Sequence, residues 1–154
     1  LYMCCVGDTK KVVPFTILGN FDFLTSGGSV GERSSPLAIT QHSQQVSMDQ
    51  FVKNDSHQKI GLIKIDVEGY ELNAFLGMRE ILKIAKPTIF FEALADANKN
   101  EISKLLDSCG YIYYDIDDKN NTVQHNANLE NGTDYFNHNR IAIHKDSLYI
   151  SYLE

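Results

Sequence analysis

Long apolar runs and cysteines are both scarce in this chain of 154 residues. No apolar stretch approaches the ~20 residues that a membrane-spanning helix needs, so a membrane protein is not expected. The three cysteines, Cys4, Cys5 and Cys109, cannot all pair with one another, and their spacing does not match that of a metal site. The sequence therefore predicts reduced thiols in a cytoplasmic protein.

Basic residues are also fewer than acidic ones. Lys and Arg number 14 against 20 Asp and Glu, which gives a formal net charge of -6. Nucleic-acid phosphates and anionic lipids do not attract an acidic surface, so neither is expected as the main partner. The length and the 43% hydrophobic content are ordinary for a globular protein with one core, and residues 1–154 are predicted to form a single domain.

Several fingerprints of enzyme sites are missing. The chain has no Gly-x-Gly-x-x-Gly pattern, no Gly-x-Ser-x-Gly pattern and no Cys-His nucleophile arrangement. Its histidines show no metal-ligand spacing, so no metal site is predicted. The segment Ser-Gly-Gly-Ser at 26–29 could cradle an anion through backbone amides, but it lacks a P-loop lysine and also fits a flexible loop.

The apolar patterning predicts an α/β protein with crossover helices. Strands are expected at 1–6, 10–18, from 37 onward, 60–65, 88–94, 111–117 and 140–145, helices near 48–52, between 69 and 86 and at 98–109, and loops at 20–36 and 119–139. Pro14 suggests an edge strand, because proline cannot donate to a β-ladder. The run at 60–65 is typical of a central parallel strand covered on both faces. The last strand is expected to pair antiparallel with the Tyr-rich strand before it.

Acidic residues follow two of the predicted strands. Asp66 ends the strand at 60–65, Glu68 and Glu71 follow it, and Glu92 lies near the end of the strand at 88–94. Ligands of open α/β sheets bind outside the carboxyl ends of the strands, so these carboxylates could accept a proton, hold a hydroxyl or bind a cation. The alternative is purely structural, because acids in a first helical turn stabilise the helix by ~0.3–1 kcal/mol. Lys64, within the predicted buried strand, is expected to pair with a nearby acid.

Motifs along residues 1–115 together resemble the FkbM-type methyltransferases. The segment LIKIDVEGYELNAFLGMREIL is followed by KPTIFFEA and LLDSCGY, in the order found in the C-terminal half of that family. Upstream, CVGD is similar to an Ala-Leu-Gly-Asp turn, SGGS to a Gly-Gly-Ser loop, and VSMDQF to a Leu-Asp element. The resemblance implies a Rossmann-like sheet of the class I methyltransferases, ending in an antiparallel hairpin.

The resemblance also implies an activity and a set of residues. It implies transfer of a methyl group from S-adenosylmethionine to a hydroxyl of a sugar, glycan or natural product. By the family's geometry, Asp66, Glu68 and Glu92 would line the catalytic pocket, with Asp66 facing the methyl group. Cys5 and Val6 would lie near the adenine of the cofactor.

The methyl acceptor would meet the loop at 20–36 and the strand ends. Gly28, Ser29 and Glu71 are the residues that the resemblance assigns to substrate binding. The family begins with a strand, a Gly-rich loop and a helix, followed by a second strand that ends in an acid, and none of these precedes Leu1. The sequence is therefore expected to be an N-terminally truncated part of a longer enzyme, and inactive alone.

Two other functions stay open from the residues. One is a non-catalytic α/β module that binds a partner or glycan at the strand ends. The other is a metal-dependent hydrolase that uses Asp66, Glu68 and Glu92, although no histidine ligand lies nearby in the sequence.

Overall fold

The computed structural model describes residues 2–19, 28–52, 59–93, 98–127, 129 and 138–153, which form a mixed α/β structure with two sheets. The first sheet has the order β1-β4-β2-β3 and consists of β1 (Cys5–Val6), β2 (Lys11–Leu18), β3 (Gly28–Val30) and β4 (Ala38–Val46). The second has the order β5-β6-β9-β7-β8 and consists of β5 (Leu62–Ile65), β6 (Thr88–Glu92), β7 (Tyr111–Asp117), β8 (Thr122–Asn126) and β9 (Asn139–His144). The pairs β1–β4 and β5–β6 are parallel, and the other pairs are antiparallel.

Short helices lie between these strands and after the last one. They are α1 (Met48–Phe51), α2 (Glu71–Leu76), α3 (Arg79–Ile84), α4 (Lys99–Ser108) and a 3-10 helix at Ile150–Tyr152. The α/β prediction is thus confirmed in its coarse form. The predicted antiparallel pairing of the last strand with the Tyr-rich strand is confirmed as well, since β9 pairs with β7.

The main core lies between one face of the second sheet and the helices. Phe75 of α2 meets Phe91 of β6 edge-to-face, with ring centroids 5.3 Å apart, and both side chains are buried. Ile102 and Leu106 of α4 pack into the same cluster. Alternate residues of the strands face the other way, where a smaller cluster forms around Ile141. One face of the sheet therefore supplies most of the apolar burial.

Two strands lie at sheet edges where the sequence predicted burial. The predicted strand at 1–6 begins with Leu1, which lies outside the described residues; of residues 2–6, Cys5–Val6 form a strand, and Tyr2 and Met3 are 74% and 95% exposed. β5, predicted to be central and covered on both faces, is the first strand of its sheet, and Leu62 is 62% exposed. The predicted burial of residues 1–6 and the predicted central position of β5 are wrong, because among the described strands β1 and β5 each pair with one neighbour only. The predicted parallel pairing of β5 is confirmed.

Pro14 lies within β2, which pairs on both sides, with β4 and with β3. The predicted edge position is therefore wrong. The carbonyl of Pro14 accepts the N–H of Gly31 at 2.9 Å, so the backbone of Pro14 faces the side of β2 on which β3 lies. The N–H that proline lacks would point to the same side, but beyond the three residues of β3 that pair with β2. An interior strand tolerates the proline because no ladder bond is required at that point.

Two predicted loops contain strands. Gly28–Val30, in the predicted loop at 20–36, forms β3, where Ser29 is buried and pairs with Thr16 of β2. Thr122–Asn126, in the predicted loop at 119–139, forms β8 at the far edge of the second sheet. An edge strand needs few apolar side chains, so its polar composition concealed it.

The predicted single helix between 69 and 86 is observed as α2 and α3, separated at Gly77 and Met78. The carbonyl of Gly77 does not continue a helix but accepts the hydroxyl of Ser47 and the N–H of Asp49, both at 2.9 Å. Asp49 in turn accepts the first N–H groups of α3 at 3.0 Å. Contacts with α1, distant in sequence, therefore break the helix. Asn98 precedes α4 as predicted, but its side chain makes no capping hydrogen bond.

Candidate active site

The carboxyl ends of β5 and β6 lie side by side, because these two strands are parallel and paired in register. Asp66 directly follows β5, and Glu92 is the last residue of β6. Burial raises the pKa of the Glu92 carboxyl, and the nearby charges of Asp66 and Glu68 raise it further, while His138 and Lys64 act in the opposite direction. The structure thus brings together the three acids that the sequence singled out.

The turn after β5 has an unusual backbone. Glu68 and Gly69 both have positive φ angles, 51° and 93°. The left-handed region suits glycine but is uncommon for a residue such as glutamate, and such backbone strain often occurs at functional sites. This turn, residues 66–70, carries Asp66 and Glu68 and is called the strand-end turn below.

Glu71 fixes the strand-end turn from inside the protein. Its side chain is fully buried, and Oε1 accepts the N–H of Gly69 at 3.0 Å. Oε2 has no hydrogen-bond partner among the residues that the structure describes. Burial raises the pKa of the Glu71 carboxyl, and the charge of Glu92 contributes to this increase, whereas hydrogen bonds from backbone N–H groups lower it.

Lys64 pairs with an acid, as expected, but not in a buried setting. Its Nζ lies 3.6 Å from Oδ2 of Asp66, and the two side chains are 52% and 54% exposed. Because Lys64 lies on an edge strand and about half of its side chain is exposed, it does not need a buried partner. Such an exposed pair stabilises the fold by at most ~1 kcal/mol.

A second turn, at the carboxyl end of β1, consists of residues 7–9 and is called the β1 turn below. It follows Cys5 and Val6, which are both half-buried. The side chain of Gln45 in β4 fills the space beneath it and hydrogen-bonds to Asp8 and to the carbonyl of Thr9. The sequence argument missed Gln45, because alternation along β4 places Ser43 and Gln45 on one face of the strand but does not show that this face is buried.

An apolar groove lies between β1 and β5. It has a volume of about 330 Å³ and is lined by Val6, Met48, Ile60, Leu62, Ile63, Lys64, Ile65, Val67, Ala74, Met78 and Ile81. Ile65 and Val67 flank Asp66, so the groove connects Val6 with the strand-end turn. Among the lining residues that the structure describes, Lys64 is the one that carries a charge.

Gly28 and Ser29, predicted to bind substrate, lie elsewhere in the fold. They belong to β3, which is at the opposite edge of the first sheet from β1. Gly28 packs directly against the ring of Phe15: a Cβ added to this glycine would lie 2.5 Å from the ring. No hydrogen bond or ion pair among the described residues joins β3 to the strand-end acids.

Metal and membrane features are not found in the described segments. Within them, no group of three or more His, Cys, Asp or Glu side chains is arranged to hold a metal ion. None of the helices that the structure describes is long and apolar enough to cross a membrane.

Comparison with known families identifies the chain. The model of the methyltransferase FkbM domain matches residues 2–113, well over half of the 154 residues. The chain belongs to the FkbM methyltransferase family. The matched segment includes the β1 turn, the strand-end turn and Glu92, and the resemblance seen in the sequence is thereby confirmed. No curated protein and no solved structure matches the chain significantly.

Proposed function

We propose that this FkbM methyltransferase chain takes part in the transfer of a methyl group from S-adenosylmethionine to a hydroxyl of a sugar, glycan or natural product. The observation that carries the proposal is the convergence of Asp66, Glu68 and Glu92 at the adjoining ends of β5 and β6, within the segment that matches the family. Carboxylates at such an edge are placed to meet a ligand with hydroxyl groups.

A hydroxyl becomes a better nucleophile when a nearby base removes its proton. Glu92 is suited to this task, because burial and neighbouring acids raise its pKa and so make its carboxylate a stronger base. Asp66, half exposed and beside Lys64, is suited to hydrogen bonding with ligand hydroxyls. S-adenosylmethionine, when bound, supplies a methyl group already activated by a positively charged sulfur. The enzyme's contribution is then mainly orientation and proton removal.

The described residues fit part of that cofactor. The groove lined by Val6, Ile65 and Val67 is apolar and has a volume at the low end of ordinary ligand pockets, which suits a flat base such as adenine. We assign Cys5, Val6 and Asp66 to this side of the site. Among the described lining residues of the groove, no acid is available for the ribose hydroxyls of the cofactor.

Three residues are assigned to substrate binding: Gly28, Ser29 and Glu71. Gly28 and Ser29 would contact an acceptor that extends across the first sheet as far as β3. Glu71 is fully buried, so its role in substrate binding would be indirect, through the strand-end turn that it holds.

The test is calorimetric titration of S-adenosylhomocysteine into this chain and into the complete product of its gene. We expect saturable binding by the complete product, weakened about tenfold or more by Asp66→Asn, since a hydrogen bond to a charged group is lost. Glu101→Gln, an exposed acid on α4, is the matched control and should leave the affinity unchanged. Absence of binding by both forms would refute the methyltransferase proposal and favour a non-catalytic module.

A further inference from the structure

The side chain of Gln45 is fully buried and uses both ends of its amide. Nε2 donates to Oδ1 of Asp8 at 3.0 Å and to the carbonyl of Thr9 at 2.7 Å. Oε1 accepts the hydroxyl of Tyr70 at 3.0 Å. Both donor hydrogens and one acceptor position of the amide are therefore used. A buried polar group satisfied in this way is rigid, since any displacement leaves an unpaired donor or acceptor.

The three partners of Gln45 belong to the two turns of the candidate site. Asp8 and Thr9 belong to the β1 turn, whereas Tyr70 ends the strand-end turn. The contact with the first turn is close. A Cβ on Gly7 would lie 2.3 Å from Cδ of Gln45, so the amide packs directly against the backbone of that glycine.

Tyr70 is held in the form that the contact requires. Burial raises the pKa of its phenol, with smaller effects from Asp8 and Cys5, while Lys11 lowers it. The hydroxyl therefore keeps its proton and donates a hydrogen bond to Oε1 of Gln45. Through Gln45, the hydrogen bond from the Tyr70 hydroxyl connects the strand-end turn to the β1 turn.

We propose that Gln45 and Tyr70 are positioning residues that hold the β1 turn and the strand-end turn in a fixed position relative to each other, so that the two turns move together as one unit. The role of the two turns in an active site rests on the proposed function, because one lies beside Cys5 and Val6 and the other carries Asp66. The connection itself does not, because its contacts lie within the described chain. In the enzyme, these contacts would keep Cys5 and Val6, beside the β1 turn, at a fixed distance from the strand-end acids.

The decisive experiment is residue-resolved hydrogen exchange by NMR. The amides of Gly7 and Gly69 are the reporters, because each makes one defined bond: Gly7 to the carbonyl of Val46 and Gly69 to Glu71. The variant Tyr70→Phe removes only the linking hydroxyl. We expect both amides to exchange about two- to tenfold faster, as the loss of one hydrogen bond permits.

Tyr149→Phe is the matched control, because Tyr149 is 66% exposed and its loss of a hydroxyl should leave both amides unchanged. Faster exchange at Gly69 with unchanged exchange at Gly7 would overturn the proposal, since the turns would then move independently. Gln45→Met should act like Tyr70→Phe on both amides. If Gln45→Met fails to fold, the comparison of Tyr70→Phe with Tyr149→Phe still decides the matter.

Cofactor affinity supplies a second measurement that a purely structural role would not change. With the complete gene product, Tyr70→Phe should weaken binding of S-adenosylhomocysteine about two- to tenfold while the melting temperature stays close to that of Tyr149→Phe. The two ideas can fail separately. No cofactor binding with joint exchange at the glycines refutes the function and supports the connection, whereas binding with independent exchange refutes the connection and supports the function.

Discussion

The close approach of Gly77 to Gly7 gives the sharpest test of the fold around the site. Gly77 ends α2 with φ -83° and ψ 0°, angles that alanine adopts readily. A Cβ at this position would lie 2.0 Å from the carbonyl oxygen of Gly7, about 1.4 Å closer than ordinary contact allows. That oxygen belongs to the backbone of the β1 turn, so it cannot rotate away as a flexible side chain would.

We expect Gly77→Ala to lower the free energy of unfolding by about 1–3 kcal/mol, the usual cost of forcing extra atoms into a packed region. On backbone entropy alone, the same change should stabilise the protein by about 0.4–1 kcal/mol, because the helical angles suit alanine. A net loss therefore identifies the steric clash. In a chain of this size, each kcal/mol corresponds to about 2–4 °C in melting temperature.

The measurement is urea unfolding of Gly77→Ala beside Gly61→Ala. Gly61 is the matched control, because a Cβ there meets nothing within 4 Å and its φ is not positive. If Gly77→Ala is as stable as Gly61→Ala, the two glycines are not in contact, and the position of the β1 turn against α2 is wrong. NMR shifts confined to the β1 turn and the end of α2 would support the clash.

Two further predictions concern buried charges, with Glu101→Gln as the exposed control. Because the folded protein raises the pKa of Glu71 above its ordinary 4.5, it binds that proton more tightly than the unfolded chain, and the free energy of unfolding falls as pH rises from 4.5 through the folded pKa. Glu71→Gln should flatten this slope in urea titrations, and a slope equal to that of the control would contradict burial of the acid. Asp115→Ala should cost about 3–5 kcal/mol, because it leaves the buried Arg140, whose Nε lies 2.8 Å from Asp115, without that partner. A thermal melt equal to the control would show that other groups compensate Arg140.

Local patterns in the sequence were enough to locate the acids. The strand at 60–65, the period change after Gly69 and the strand from 88 placed Asp66 and Glu92 at strand ends, and parallel pairing brings them together. These features depend on residues close in sequence, where the alternation of strands and the period of helices are informative. The motif resemblance, confirmed by the family match, identified the same segment.

What could not be predicted depends on neighbours distant in sequence. Whether the strand at 60–65 is central or at an edge depends on which strands lie beside it in space. The break at Gly77 depends on Ser47 and Asp49, and Ser47 lies 30 positions earlier in the chain. Glutamine is typical of an exposed strand position, and Gln45 can be buried only because Tyr70 and Asp8, both distant in sequence, form hydrogen bonds with its amide.

The three acids and Glu71 differ in their surroundings, and those differences argue for a division of labour at the proposed site. Asp66 is half exposed and pairs with Lys64, so its charge is compensated and its oxygens can meet ligand hydroxyls. Burial and the neighbouring acids raise the pKa of Glu92, which suits its carboxylate to accept a proton at the proposed site. Glu71 is buried and holds the turn on which Asp66 lies, which makes it a support for the other acids. A helix-start motif alone would explain acids at the beginning of α2, but it would not require Glu92, on another strand, to share their electrostatic environment.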